Sequence, residues 1–304
     1  MPVRICSLLP SATEMVGALG LLDSLVGVSA ECDFPAAARG KPVVTGARVD
    51  TSTLGSLAID AAVREALQEG RSLYAIDEEL IRGLAPDLIL TQDLCTVCAV
   101  SSGEVALCGI EAETMVLDAH TIAEIGDCVL ALGARLGVPE RAAEIVRALR
   151  EKVAGVEAAV TAAAGAAGAA GAGGAPGRRP RVFVAEWLEP PFAAGHWVPE
   201  LVAAAGGVEV LGRAGQPSFA TTWDAVRAAQ PDLVVLAPCG FDAALAAAEA
   251  GLVPDLGCRV IAVDANAYYS RPAPRVADGV VQLAHFLYPE AVADPGMPFI
   301  VIRP

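Results

Sequence analysis

Ala85-Pro86-Asp87-Leu88-Ile89-Leu90, in the first half of the chain, returns in the second half as Gln230-Pro231-Asp232-Leu233-Val234-Val235. Each copy is a short apolar run entered through a proline and an aspartate, which is the pattern of a buried strand in a parallel sheet. A second echo pairs Thr13-Glu14-Met15-Val16-Gly17-Ala18-Leu19-Gly20 with Pro199-Glu200-Leu201-Val202-Ala203-Ala204-Ala205-Gly206. Each of these helix-like segments follows a strand-like run and a loop that carries proline. The chain therefore reads as an α/β protein of two similar, Rossmann-like βα lobes.

Working outward, Val3–Leu9 predicts the first strand, and Ser11 with Glu14 three residues on predicts a capping box for the helix that closes at Gly20. Strands are expected at 25–29, 72–76, 87–91, 113–117, 182–185, 208–211, 232–237 and 260–263. Helices are expected at 199–205, 223–229, 243–250 and 275–287, and the alternation is that of βαβ units around a mostly parallel sheet. From Val138-Pro139 to about Ala164, Ala, Leu, Val, Glu and Arg recur at helical spacing without an internal proline, which predicts one long helix. Residues 165–180 are almost wholly Ala and Gly before Pro176 and two arginines, the composition of a flexible linker. The expected organisation is a lobe over 1–137, a linking helix over 138–164, a linker over 165–180 and a second lobe over 181–304.

Length and charge bound the function. A chain of 304 residues accommodates two domains of roughly 150 residues each. Its 21 Lys and Arg stand against 36 Asp and Glu, and the resulting charge of −15 repels phosphate backbones, so neither nucleic acid nor an anionic membrane surface is an expected partner. No window reaches the ~18–20 uninterrupted apolar residues of a membrane span. Met1-Pro2-Val3-Arg4 runs into only five apolar or small residues before Pro10, which is strand length rather than an export segment, so a cytoplasmic location is expected. Eight cysteines should then persist as thiols.

In open parallel sheets ligands bind beyond the carboxyl ends of the strands, so two facing lobes predict a ligand cleft between them, lined by the loops that follow each strand. Cys95 and Cys98 form a CxxC after one expected strand, and Cys32 and Cys239 follow two others. These four thiols could hold zinc or an iron–sulfur cluster, or be small buried hydrophobes like Cys6, Cys108, Cys128 and Cys258. The stretch from Glu186 to Pro199 gathers Trp187, Phe192, His196 and Trp197 on a proline-stiffened loop, although aromatic residues are only 5% of the chain. Tyr268, Tyr269 and Arg271 follow the last expected strand, Phe241 follows Cys239, and Asp93 precedes the CxxC. These aromatic rings suit a flat ligand, Asp93, Glu186 and Arg271 its polar groups, and the His196 imidazole a metal centre within it. His285 reads as core, and His120 as a capping or solvated residue. Serine-hydrolase, P-loop, zinc-protease and dinucleotide-binding motifs are all missing.

Arg4-Ile5-Cys6-Ser7-Leu8-Leu9-Pro10-Ser11-Ala12-Thr13-Glu14, Leu25-Val26-Gly27-Val28-Ser29 and the closing Val263-Asp264-Ala265-Asn266-Ala267-Tyr268 resemble substrate-binding proteins of cobalamin and ferric-siderophore ABC importers. The Glu31-Cys32-Asp33, Asp93-Leu94-Cys95, Glu186-Trp187-Leu188, Gly195-His196-Trp197 and Pro238-Cys239-Gly240-Phe241 stretches resemble a cobalamin-binding-like subgroup of that superfamily. The resemblance implies a non-enzymatic binder of a small-molecule metal complex, most simply a corrinoid such as cobalamin. It also implies that the long helix acts as a rigid backbone between the lobes. Exported members begin with a signal or lipoprotein segment, from which this chain departs, so the resemblance leaves an ABC permease partner open. A thiolate metal or iron–sulfur protein, and an enzyme that reduces or processes a corrinoid, are the rival readings.

Overall fold

The computed structural model describes residues 2–48, 55–69, 72–94, 99–166 and 178–304. The chain divides into two compact units, Met1–Ala119 with Ala123–Val146, and His120–Ile122 with Arg147–Pro304.

The first unit contains β1 (Ile5–Ser7), α1 (Pro10–Ala18), β2 (Leu25–Val28), β3 (Thr45–Ala47), α2 (Ser56–Gln68), β4 (Tyr74–Ile76), α3 (Glu78–Leu84), β5 (Leu88–Thr91), α4 (Ser102–Leu107), β6 (Glu113–Val116) and most of α5 (Ile122–Arg135). Its four-stranded sheet has the order β2-β1-β5-β6 and is parallel throughout. Two expectations need correction here. The strand at 72–76 forms only as β4, whose three residues are all half-buried rather than buried like a central strand, and it pairs antiparallel with β3 in a separate two-stranded ribbon. Ser11 does not cap α1, because Pro10 already occupies the first turn, where a missing N–H goes unneeded, and Leu9 becomes the cap residue. The capping box lies instead at Ser101 and Glu104, at the start of α4.

α6 (Pro139–Ala166) runs for 28 residues. The second unit continues with β7 (Arg181–Leu188), β8 (Pro191–Ala193), α7 (Val198–Ala204), β9 (Val208–Glu209), β10 (Phe219–Ala220), α8 (Trp223–Ala228), β11 (Leu233–Leu236), α9 (Ala243–Ala248), β12 (Arg259–Val263), α10 (Ala265–Tyr268), α11 (Val276–Leu287) and β13 (Phe299–Arg303). Its sheet has the order β10-β8-β7-β11-β12-β13, with β9 also paired to β7. β7, β11 and β12 are mutually parallel, whereas β8, β10 and β13 extend the sheet as antiparallel strands.

The sequence echoes are physical equivalents. In the first unit the Arg4 N–H donates to Asp87 Oδ2 (2.8 Å), Asp87 N–H donates back to the Arg4 carbonyl (2.8 Å), and the Arg4 side chain caps the Leu84 and Ala85 carbonyls. In the second unit Arg181 N–H donates to Asp232 Oδ2 (2.7 Å), Asp232 N–H to the Arg181 carbonyl (2.8 Å), and the Arg181 side chain to Ala229 and Gln230. Ala85 and Gln230 both occupy the left-handed region, with φ of 43° and 47°. The helix echo ends alike too. Gly20 (φ 80°) and Gly206 (φ 85°) turn the chain so that Leu21 N–H reaches the Val16 carbonyl and Gly207 N–H the Val202 carbonyl.

One carboxylate mends a gap in the second sheet. β9 pairs with β7 at Arg181 and Val182, and β8 takes over at Ala185, which leaves the Val184 N–H between them without a strand carbonyl on that edge. Glu209 Oε2 accepts it at 3.1 Å, while Oε1 accepts Leu211 and Gly212 N–H. Burial pushes the Glu209 carboxyl up to about 7, against the opposing pull of these N–H donors.

Two stability measurements follow. Asp232→Ala removes the acceptor of Arg181 N–H and the Arg178 ion pair, and should lower stability by about 1–2 kcal/mol in urea unfolding, with the midpoint reduced and the slope unchanged. The raised Glu209 carboxyl means that the folded state holds a proton which the unfolded chain releases near pH ~4.3, so its contribution is full at low pH and is lost as pH rises through about 7. Relative to Glu209→Gln, which does not titrate, the unmodified protein should lose stability from about pH 5 to about pH 8. A constant or opposite difference contradicts this assignment.

Candidate functional site

β7, β11 and β12 run in parallel and present their carboxyl ends along one edge of the second unit's sheet. Trp187, near the end of β7, lies opposite Phe192 of β8 in the antiparallel pairing. Phe241, on the loop after β11, meets the Trp187 indole edge-on, with ring centroids 5.6 Å apart and an interplanar angle of 69°. That loop turns at Gly240 (φ 89°) and is tied on both sides: Cys239 N–H donates to the Glu186 carbonyl, and the Phe241 carbonyl accepts Ala265 and Asn266 N–H. Asp264 caps α10 through Ala267 N–H (2.9 Å), and burial pushes its carboxyl up. Within this framework the Trp187 indole N–H is buried and has no acceptor among the described residues. An unmet buried donor forfeits about 1–3 kcal/mol, which an acceptor on a ligand would recover.

The loop after β8 presents His196. Gly195 N–H donates to Glu186 Oε1 (3.1 Å), and the Gly195 backbone passes so close to 216–218 that a Cβ would sit 2.3 Å from Ser218 N and 2.5 Å from the Gln216 carbonyl. His196 follows in the left-handed region (φ 49°), with its N–H donating to Gln216 O (2.7 Å) and its carbonyl accepting Gly215 N–H (2.9 Å). Its imidazole stacks on Trp197 and stands with its Nδ1 3.4 Å from the Nδ1 of His120. Burial, and then the neighbouring His120, hold the His196 pKa below the ordinary imidazole value. His120 belongs to the same unit, on a segment anchored where Ile122 N–H donates to Glu200 Oε2 (2.9 Å).

The remaining expected site residues are distributed differently. Trp197 and Tyr269 are 4% and 1% exposed, with the Trp197 indole N–H on the Tyr269 carbonyl (2.8 Å) and the Tyr269 hydroxyl on Gln282 (3.1 Å). Both are committed to the interior, because a ring with a satisfied polar atom packs there at little cost. Tyr268 is half-buried under the Arg275 guanidinium, and Arg271 is half-buried. Asp93, in the first unit, is occupied at the start of α4, where it accepts Ser102 N–H (2.8 Å) and Ser102 Oγ–H (2.7 Å). Cys32, also in the first unit, is buried with its sulfur 3.0 Å from Thr13 Oγ1 and 3.2 Å from Ser29 Oγ, whereas Cys239 is exposed. Cys95 and Cys98 lie outside the described residues. Among the described residues no group of three or more His, Cys, Asp or Glu is placed to hold a metal ion. Burial pushes the Cys6 and Cys128 thiols up to about 12 and about 11, as befits small buried hydrophobes.

His120 is the residue that sequence reasoning passed over. It stands 76 positions from His196 and only the fold brings them together, yet it too follows a strand, β6, and the rule that picks out loops at strand ends includes it.

Residues 5–244 match the family described as Periplasmic binding protein. Among solved structures, a periplasmic heme-binding protein from Pseudomonas aeruginosa is similar over 97% of this chain and 96% of its own, at 21% identity and a TM-score of 0.71. The periplasmic vitamin B12-binding protein BtuF of Vibrio cholerae is similar over 93% of this chain and 96% of its own, at 22% identity and a TM-score of 0.64. An ABC-type Fe3+-hydroxamate transport system protein from Saccharomonospora viridis is similar over 94% and 93%, at 22% identity and a TM-score of 0.62. At these identities the likeness is one of fold. No curated protein matches the chain. Among the described residues no helix is long and apolar enough to cross a membrane.

The close approach at Gly195 sets a test of how the His196 loop is held. Gly195→Ala should lower stability by about 2–3 kcal/mol, because the obstructing atoms are backbone and cannot swing aside. An unchanged melting temperature contradicts that geometry.

Proposed function

Because this chain belongs to the periplasmic binding protein family, we propose that it is a non-enzymatic binding protein for a corrinoid, cobalamin foremost, or for a related metal complex. The observation that carries this reading is the edge-on Trp187–Phe241 pair with its buried, unpartnered indole N–H, at the carboxyl ends of β7 and β11. Two rings, one fixed by strand register and the other by a hydrogen-bonded loop, offer apolar area at small ordering cost, and the indole N–H offers one directional donor to a ligand carbonyl. Corrinoid side chains end in amides, whose carbonyl oxygens are suitable acceptors. Phe192 of β8, Tyr268 at the end of α10 and Arg271 just beyond it, all half-buried, complete the proposed ligand contacts. The charge of −15 favours a ligand without a large negative charge of its own, which ranks an amide-bearing corrinoid ahead of a dicarboxylate tetrapyrrole. The fold relatives named for heme and vitamin B12 bring both ligand classes into consideration.

Titration of the full chain with hydroxocobalamin, hemin and a ferric hydroxamate, followed by tryptophan fluorescence, checks the proposal. Hydroxocobalamin should saturate one site. The Trp187→Ala/Phe241→Ala double variant should weaken that binding by at least roughly tenfold, about 1.4 kcal/mol, while remaining folded by circular dichroism. Absence of saturable hydroxocobalamin binding, or an affinity indifferent to the double variant, overturns the assignment. Exclusive binding of hemin overturns the corrinoid ranking.

A further inference from the structure

We infer that His120 and His196 form a two-nitrogen chelate for a divalent cation that prefers tetrahedral coordination, zinc foremost. The two Nδ1 atoms are 3.4 Å apart. The contact is a long hydrogen bond between the two rings, and a cation would take the place of the proton they share. The separation matches two imidazole nitrogens bound to one zinc, since Zn–N bonds of about 2.0–2.1 Å at a tetrahedral angle place the nitrogens about 3.3–3.4 Å apart. A metal held in a planar macrocycle has only two opposite positions free, and nitrogens filling them lie roughly 4 Å apart. The spacing therefore suits a cation of its own rather than the two axial positions of one macrocyclic ligand.

Both ligands are held in place before any metal arrives. His196 is fixed in a left-handed conformation that a residue with a Cβ adopts only when its surroundings impose it, and Gln216 and Gly215 impose it through two backbone hydrogen bonds. Its ring is braced against Trp197, which is itself anchored to Tyr269. His120 is carried on the segment secured by Glu200, four positions after His196. With two protein ligands, the remaining two tetrahedral positions are open to water or to a small anion, one more open position than a catalytic zinc site keeps.

The test uses the metal-stripped, reduced full chain and zinc chloride, with no corrinoid or tetrapyrrole present, so its outcome is independent of the ligand assignment above. Because the chain has eight cysteines, X-ray absorption at one equivalent of zinc identifies the ligand atoms directly. The expected first shell contains two imidazole nitrogens. His120→Gln and His196→Asn, the latter chosen because asparagine tolerates the left-handed backbone, should each remove one imidazole and weaken zinc binding by roughly tenfold or more. A shell made of sulfur alone, or zinc affinity unchanged in both variants, overturns the inference. The spectrum of the unsubstituted chain decides the question even if a variant fails to fold.

Discussion

In each unit a single aspartate at the entry of the central strand grips two backbones at once. Asp87 accepts the Arg4 N–H and donates its own N–H to the Arg4 carbonyl, which closes a ring around the first pair of the ladder and sets Ile5 opposite Leu88. Asp232 and Arg181 do the same for Val182 and Leu233. The arginine side chain then takes the carbonyls at the end of the preceding helix, so helix end, left-handed turn and strand entry are fixed by one residue pair. Register is the quantity that matters, because a slip by one residue turns every side chain of a strand to the other face. Such a slip in β7 would exchange Trp187, half-buried beside Phe241, for Leu188, which is fully buried.

Much of this was legible in the sequence because it repeats. The Pro-Asp entries marked both central strands, and the paired glycines marked the ends of α1 and α7, where the αL requirement admits few other residues. The long helix was legible from its period. What stayed hidden obeys other rules. β8 consists of Pro191, Phe192 and Ala193, a composition that reads as a loop until an antiparallel partner supplies the hydrogen bonds. β13 is an apolar run whose pairing with β12 depends on how the end of the chain returns, and no local pattern encodes that. Ser11 failed as a cap because Pro10, a stronger local constraint, begins the helix one residue earlier.

The candidate site divides along a similar line. Sequence composition drew attention to the stretch from Glu186 onward, but composition does not say which way a ring points. Trp187 and Trp197 stand ten positions apart on one loop-rich segment. One has an idle indole N–H, whereas the other spends its N–H on the Tyr269 carbonyl and holds the interior together. The four cysteines drew attention through their spacing after strands, yet Cys32 is satisfied by two hydroxyl groups of its own unit and Cys239 is exposed. A thiol with hydroxyl partners in a packed interior is occupied as a small polar spacer, and nothing in a one-dimensional spacing separates that role from ligation.

The three residues His120–Ile122 are covalently part of the stretch that leaves β6 and enters α5, yet they pack with the second unit. The polypeptide therefore passes from one unit to the other three times: before His120, after Ile122 and within α6. No single cut in the chain separates the units with all their parts, and a fragment beginning at Arg147 would lack both the imidazole opposite His196 and the backbone N–H that engages Glu200. Shuffling or excising the second unit as an independent cassette would thus dismantle one of its own loops, which ties the inheritance of the two halves together more firmly than their repeated architecture suggests.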